Sequence, residues 1–279
     1  METRELRYFV AVAEELHFGR AAQRLGIAQP PLSRAIQQLE RRLGVTLLAR
    51  TGRSVALTEA GAVLLREGRA ALDAVDAAGR RARRAAAGQP GLVLVTKAGA
   101  SSELLAKLLD AYAAEPGAAS VDVLLCGIAE QEGLLRDGRA DVALLHRPFD
   151  STAGFDTAEL ATEGQVAVLP AGHPLSTRPQ LRLADVTALP DLPLPRWPGR
   201  DGGYPDGPGV PVRDIMQLLQ LIELGRAAAI LPESSRTHLP YGLVTVPVLD
   251  APTVTTVIAW PPHSRSRALA DLIRTATRL

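Results

Sequence analysis

Residues 29–44 read Gln29-Pro30-Pro31-Leu32-Ser33-Arg34-Ala35-Ile36-Gln37-Gln38-Leu39-Glu40-Arg41-Arg42-Leu43-Gly44. Two prolines suit the first turn of a helix, where the missing N–H is one of the orphan donors anyway. Gly44 suits its left-handed end. Leu32, Ile36, Leu39 and Leu43 recur at spacings of four and three, an apolar stripe. With that stripe turned inward, Ser33, Arg34, Gln37, Gln38 and Arg41 face outward. Arginine pairs bidentately with guanine, glutamine with adenine, and serine with base or phosphate. The helix N-terminus adds free N–H groups and a positive dipole suited to a phosphate. Periodicity alone fits either a DNA-reading helix or a small helical bundle with a polar outer face.

Upstream, Leu6, Phe9, Val10, Ala13 and Leu16 mark an amphipathic helix. A short helix opens at Gly19, turns Ala21, Ala22 and Leu25 inward, and closes at Gly26. A short helix, a tight turn and a polar-faced second helix make a helix-turn-helix. Residues 45–57 read as two short strands around Arg50-Thr51-Gly52-Arg53, so that Arg50 and Arg53 would flank a groove as a wing. Thr58, followed by Glu59, caps one long helix running to about residue 87. Its Leu65, Leu72, Val75, Ala78 and Ala82 form a narrow stripe, closer to a helix–helix seam than to a wide globular face. The run Arg80-Arg81-Ala82-Arg83-Arg84 reads as a solvated surface.

Gly88-Gln89-Pro90-Gly91 signals a hinge. Beyond it, residues 92–95, 104–114, 121–125, 128–136 and 142–145 alternate as β-α-β-α-β, which predicts a parallel sheet with right-handed crossovers. A strand at 165–169, a Gly/Pro loop at 197–211, a helix at 212–224, a buried run at 227–231, strands at 244–249 and 253–260, and a closing helix at 269–277 follow, and the whole reads as two α/β lobes. Two such lobes bind ligands at the carboxyl ends of their strands.

The 279 residues suffice for two or three cores, and 47% hydrophobic with 22% charged residues is a globular balance. Net charge is only +1, but it is unevenly spread. Residues 1–88 carry fifteen arginines against nine carboxylates, and 89–279 carry sixteen basic residues against twenty-one acids. A basic end on an acidic remainder points to a polyanion partner. Two lysines and no asparagine look like coding bias, which explains Arg over Lys but not the asymmetry. No run nears the roughly 18 apolar residues of a membrane span, and the charged start Met1-Glu2-Thr3-Arg4-Glu5 lacks a signal-peptide core. A cytoplasmic protein without a membrane partner is expected. Cys126 is the only cysteine and ends an apolar run, which predicts a small buried side chain. The five histidines are scattered without metal-ligand spacing, and no G-x-S-x-G, P-loop or strand-linked G-x-G-x-x-G occurs. Catalysis, a cofactor and a metal are not expected.

The string Leu6-Arg7-Tyr8-Phe9-Val10-Ala11-Val12-Ala13-Glu14-Glu15, with Phe18-Gly19-Arg20-Ala21-Ala22-Gln23-Arg24-Leu25, closely resembles the LysR-type transcriptional regulators. So do Gln29 to Ile36, Leu39 to Gly44, Leu47-Leu48-Ala49-Arg50 and Leu57-Thr58-Glu59-Ala60-Gly61. Gly138-Arg139-Ala140-Asp141-Val142-Ala143-Leu144 and Gly225-Arg226-Ala227-Ala228-Ala229-Ile230-Leu231-Pro232 match the family's effector domain more loosely. The resemblance implies a winged helix-turn-helix DNA-binding domain over 1–58, a dimerising linker helix over 59–88, and an α/β two-lobed periplasmic-binding-protein-like effector domain over 89–279. Lobe I would take about 90–163 and 258–279, and lobe II about 164–257. It further implies a homotetramer on double-stranded promoter DNA, contact with RNA polymerase, and a small-molecule effector. By that match Gln29, Pro30, Pro31, Ser33, Arg34 and Gln37 sit at the major groove and Arg50 and Arg53 at the DNA backbone. Ala28 and Gly19 stand where the family often has capping Ser or Thr. The span from Pro195 to Gly225 is short for the family and lacks room for one element of the second lobe.

Matching strand ends to the family's pocket nominates Lys97, Gly99, Ala100, Ser101 and Ser102 after the first strand. It adds Ile128 after the second, His146 and Arg147 after the third, and Pro195 and Trp197 in the second lobe. Helix N–H groups near Ser101 and Ser102, with Lys97 and Arg147, would suit an anion such as a carboxylate. Equally, Ser102 would simply cap its helix and Arg147 would pair with a nearby acid.

Overall fold

The computed structural model describes residues 1–51, 54–86, 91–199, 203–262 and 264–279. Two compact units emerge, Met1–Arg83 and Arg84–Leu279. Arg53, residues 88–90 of the expected hinge and the side chain of Arg50 lie outside the described residues.

The first unit begins with α1 (Thr3–Glu15), α2 (Phe18–Leu25) and α3 (Gln29–Leu43). Phe9, Val12, Ala21, Leu32, Ile36 and Leu39 close their common core. Gly26 and Gly44 end α2 and α3 with φ of 68° and 69°, a conformation that costs glycine little. Two expected core residues differ. Leu16 is exposed because α1 stops at Glu15 and Leu16 itself turns left-handed as the C-cap. Leu43 is 41% exposed because the last turn of α3 runs past the core that Leu39 completes.

The antiparallel hairpin β1 (Leu48–Thr51) and β2 (Ser54–Leu57) follows. Thr58 then caps α4 (Glu59–Ala86), its Oγ1 accepting the Gly61 N–H at 3.0 Å. The expected α4 stripe divides in use. Leu65 and Leu72, with Leu64, pack on the unit's own core, whereas Val75, Ala78 and Ala82 stay exposed.

In the second unit, β3 (Leu92–Lys97), α5 (Ser102–Ala113), β4 (Val121–Cys126), α6 (Gln131–Arg136) and β5 (Val142–Arg147) give the expected β-α-β-α-β, with β4 and β5 each parallel to β3. The antiparallel strands β6 (Asp156–Glu163) and β10 (Val254–Trp260) complete a sheet of order β4-β3-β5-β10-β6, with α9 (Arg267–Ala276) packed near α5. Asp141 of the Gly138–Val142 stretch is structural. Its Oδ2 accepts the Val93 N–H at 3.0 Å and the Arg84 guanidinium at 2.6 Å. Because β4 is an edge strand, its apolar run is not buried. Leu125 is 59% exposed, and Cys126 is half-buried rather than enclosed.

The second sheet is antiparallel, order β8-β7-β9, from β7 (Gln165–Pro170), β8 (Ala229–Pro232) and β9 (Leu243–Val248). Alternate residues of β7 feed opposite cores. Val166 and Val168 meet α8 (Ile215–Glu223), and Ala167 and Leu169 meet the side of α7 (Leu183–Thr187).

Candidate functional site

The outward side of α3 is solvent-facing: Gln29, Pro30, Pro31, Arg34, Gln37, Gln38 and Arg41 are exposed, and Ser33 is half-buried. The guanidinium of Arg34 carries no internal partner among the described residues. Its neighbour Arg42 is committed instead, clamping both oxygens of Glu5 at 2.5 and 3.0 Å. Glu5 also accepts the Glu2 backbone N–H at 2.8 Å, and that bond leads the causes that lower its pKa. The outer arginines thus divide into free and structural members.

Residues that periodicity did not single out aim this helix. Glu40 Oε1 accepts the backbone N–H groups of Leu47 and Leu48, at 2.8 and 3.1 Å, tying α3 to the start of the wing. Glu14 on α1 bridges Arg24 of α2 and Arg69 of α4, each at 2.7 Å. Burial alone would raise the Glu14 pKa, but hydrogen bonds and charge from Arg69 and Arg24 outweigh it and hold the group below its usual range. The cap of α2 also corrects an expectation. The helix starts at Phe18, and His17 Nδ1 caps it by accepting the Arg20 N–H at 3.1 Å. Gly19 stands beside that imidazole, where an added Cβ would come within 2.9 Å of the ring. The hydroxyl looked for at 19 is replaced by an imidazole two residues earlier.

In the second unit, β3 and β5 bring four side chains together at their carboxyl ends. Lys97 Nζ lies 2.8 and 3.1 Å from the two oxygens of Asp150. Asp150 Oδ2 also accepts the His146 backbone N–H at 2.8 Å and lies 3.5 Å from His146 Nδ1. His146 Nε2 meets Ser101 Oγ at 2.7 Å. Desolvation would raise the Asp150 pKa, but His146 and Lys97 reverse the sign and lower it. Asp150 was invisible to pattern reading, since it follows a Pro-Phe turn outside any periodic element.

Arg147 points elsewhere, pairing with Glu159 on β6. The N-cap of α5 is Ser101 rather than Ser102, with φ 51° and ψ 30°, and it makes no side-chain cap bond. Gly99, at φ 80°, lies against α8, where an added Cβ would come within 2.9 Å of Ile215 Cγ2. The loop after β3 therefore touches the start of α8. Ile128 is half-buried. Trp197 packs on the second lobe's core, and Pro195 lies two residues before it.

A cavity of about 310 Å³ opens beside the loop, lined by Thr96, Lys97, Gly99, Ala100 and Ser102 together with apolar residues of α5 and β4. Thr96 Oγ1, His146 Nδ1 and Gln131 Nε2 are buried without hydrogen-bond partners. Cys126 has its pKa pushed up to about 11, first by burial and then by Glu130, so it is a thiol at neutral pH. Among the described residues no cluster of His, Cys, Asp or Glu could hold a metal ion, and no helix is long and apolar enough to cross a membrane.

Residues 3–62 match the bacterial regulatory helix-turn-helix proteins of the lysR family, and residues 85–279 match the LysR substrate binding domain. The HTH-type transcriptional regulator YnfL of Escherichia coli K12 is 34% identical over 98% of this chain and 97% of its own. Full-length BenM superposes with a TM-score of 0.55 at 27% identity, covering 100% of this chain and 96% of that one. Full-length CbnR in complex with its target DNA superposes with a TM-score of 0.53 at 26% identity, covering 100% and 99%. With both family domains matched in order, a winged α-helical reader ahead of an α/β binding domain, the chain belongs to the LysR family of helix-turn-helix transcriptional regulators and is not an enzyme.

Proposed function

We propose that α3 reads promoter DNA through Arg34, Gln37 and Gln38, with Gln29, Pro30, Pro31 and Ser33 at its groove-entering end and Arg50 and Arg53 on the flanking backbone. The observation that carries this reading is the exposed guanidinium of Arg34, without an internal partner among the described residues, on a helix whose opposite side buries Leu32, Ile36 and Leu39. On this reading residues 1–58 bind DNA, 59–88 pair two chains, and 89–279 bind the effector. The assembly is a cytoplasmic homotetramer that contacts RNA polymerase on the promoter. The effector binds at the strand ends around Lys97, Gly99, Ala100, Ser101, Ser102, Ile128 and His146, near where the loop after β3 meets α8. The reading adds Arg147, Pro195 and Trp197 as outer members of the site. Ligand that draws the lobes together shifts the placement of paired readers and so the bend of the DNA.

Arg34→Ala tests the reading. Loss of a bidentate guanine contact is worth roughly 1–3 kcal/mol, or about 5- to 150-fold in affinity. Gel-shift titration on the DNA upstream of its own gene should show that loss, with ligand binding to the second unit unchanged. Unaltered DNA affinity would remove Arg34 from the interface, and a loss of ligand binding would break the division of labour between the units.

A further inference from the structure

We propose that His17 is a pH-sensitive positioning residue of the DNA-binding unit: its neutral imidazole caps α2 beside the first residue of α3 and releases that cap when protonated, so that DNA affinity falls with pH. This deepens the reading of α3 as the DNA-contacting helix and rests on it.

The chemistry of the cap comes first. A helix begins with four N–H groups that its own carbonyls cannot reach, and the usual caps, Ser, Thr, Asp and Asn, meet one of them with an oxygen. At α2 the acceptor is a ring nitrogen instead. His17 Nδ1 takes the Arg20 N–H at 3.1 Å, from an extended backbone at φ −155° and ψ 115°. A nitrogen that accepts holds no proton, so the ring is the neutral tautomer with its hydrogen on Nε2. An imidazolium has two donors and no acceptor. Protonation sets N–H against N–H at the cap and puts a positive charge at the positive end of the helix.

The surroundings make room for this ring. A Cβ at Gly19 would come within 2.9 Å of His17 Cε1 and 3.2 Å of Nδ1. A side chain at 19 would push the ring off the cap, so His17 and Gly19 act as a pair. The same Cβ position lies 3.9 Å from Gln29 Oε1, which places the capped turn beside the start of α3. Phe18, Ala21 and Ala22 of α2 share one core with Leu32 and Ile36 of α3. Fraying the first turn of α2 therefore loosens the seat of the reading helix.

The charges on the elements around the ring are engaged with one another. Glu15, at the end of α1, accepts Arg20 Nε–H at 3.3 Å and lies 3.5 Å from Arg24. Glu14 pairs with Arg24 and with Arg69, each at 2.7 Å. From α3 it is the uncharged Gln29 that adjoins the cap. His17 is the only histidine in residues 1–83, and histidine is the side chain that ordinarily changes charge between about pH 5 and 8.

Hydrogen exchange read by mass spectrometry on the full-length protein tests this, together with affinity for a DNA site that the native protein selects from a random-sequence library at pH 7.5. Losing a cap weakens a helix end about 2- to 30-fold. His17→Asn supplies a cap oxygen that does not titrate. At pH 7.5 it should match the native protein within twofold, both in exchange over residues 18–25 and in DNA affinity. At pH 5.5 the native protein should exchange that segment at least threefold faster than His17→Asn and bind DNA at least threefold more weakly, with exchange over residues 102–113 equal in the two. Gly19→Ala, which displaces the ring by another route, should flatten the pH profile as His17→Asn does. Equal behaviour of the native protein and His17→Asn at pH 5.5 would overturn the proposal, as would a native pH profile retained in Gly19→Ala. A cap that opens at pH 5.5 while DNA affinity holds level would also overturn it, since His17 would then position nothing that contacts DNA. Arg34→Ala judges the reader separately: undiminished affinity there, with the His17 profile intact, would move the base contact off Arg34 and leave the pH device standing.

Discussion

Glu40 accepts two backbone N–H groups with one carboxylate oxygen, and both belong to residues that are themselves buried, Leu47 and Leu48. Truncating it leaves two donors without a partner next to apolar side chains. Glu40→Ala should therefore cost roughly 2–3 kcal/mol, read as a lower urea midpoint. Glu40→Gln, which keeps a carbonyl oxygen at the same reach, should recover much of it; an unchanged midpoint in Glu40→Ala would mean that water replaces the bond. Glu14 makes a claim about pH instead. Its pKa is lowered in the folded protein by Arg69 and Arg24 against the opposing effect of burial, so the unfolded chain takes up the proton first as pH falls. The stability it contributes is complete above about pH 4.5, its ordinary value, and drains away as pH drops through the lower folded value. Unfolding free energy measured from pH 6 down to pH 3 should fall less steeply in Glu14→Gln than in the native protein. Equal slopes would show that the bridge to Arg24 and Arg69 does not persist in solution.

At the scale of elements, what could be read in advance followed amphipathic period. The helices α1 to α4, the parallel trio β3, β5 and β4, and the closing β10 and α9 each carry an apolar pattern long enough to betray their type. The strand β6, Asp-Thr-Ala-Glu-Leu-Ala-Thr-Glu, does not, because it is a polar edge strand with little buried on either face. The five-residue α7 is too short to show a period. At the site, exposed Arg34, Gln37 and Gln38 follow directly from the stripe opposite them, whereas Glu40, Glu14 and Asp150 act through contacts distant in sequence that no local pattern encodes. The short span after Pro195 was legible as a deficit, but what fills it was not. Arg196 holds the loop from Tyr204 to Pro211, donating Nε–H to Gly209 O at 2.7 Å and Nη1–H to Pro205 O at 2.9 Å. Gly209 lies so close that a Cβ would come within 1.8 Å of Leu194 O. Arg196→Ala should free this loop, and limited proteolysis should then cut between residues 203 and 211 at least several-fold faster than in the native protein. Unchanged cleavage would mean that the backbone bonds Arg196 N–H to Val210 O and Val212 N–H to Arg196 O suffice without the guanidinium.

The whole molecule must solve a problem that one recognition helix cannot. A single helix reaches few base pairs, and joining two at a fixed spacing turns the second contact into an intramolecular one, raising affinity by an effective-concentration factor of roughly 100 or more. On the proposed pairing through residues 59–88, α4 would supply the side chains for that joining. Leu64, Leu65 and Leu72 are consumed by the first unit's own core, but Ala71, Val75, Ala78 and Ala82 remain exposed at spacings of four, three and four. That is the repeat of a coiled-coil seam, and its small residues let two backbones approach closely. Val75, 49% exposed in the isolated chain, is the largest member. Val75→Glu should bury a charge against its twin and push the protein toward monomer in sedimentation velocity. Affinity for DNA carrying two half-sites should then fall on the order of 100-fold, while affinity for one half-site stays within about threefold. The dependence on salt gives an independent readout, because each phosphate contact releases a condensed counterion and the logarithmic slope counts them. Halving the number of readers on the duplex should roughly halve that slope. A Val75→Glu protein that still sediments as an oligomer and keeps the native slope would show that the chains join through a surface other than this seam.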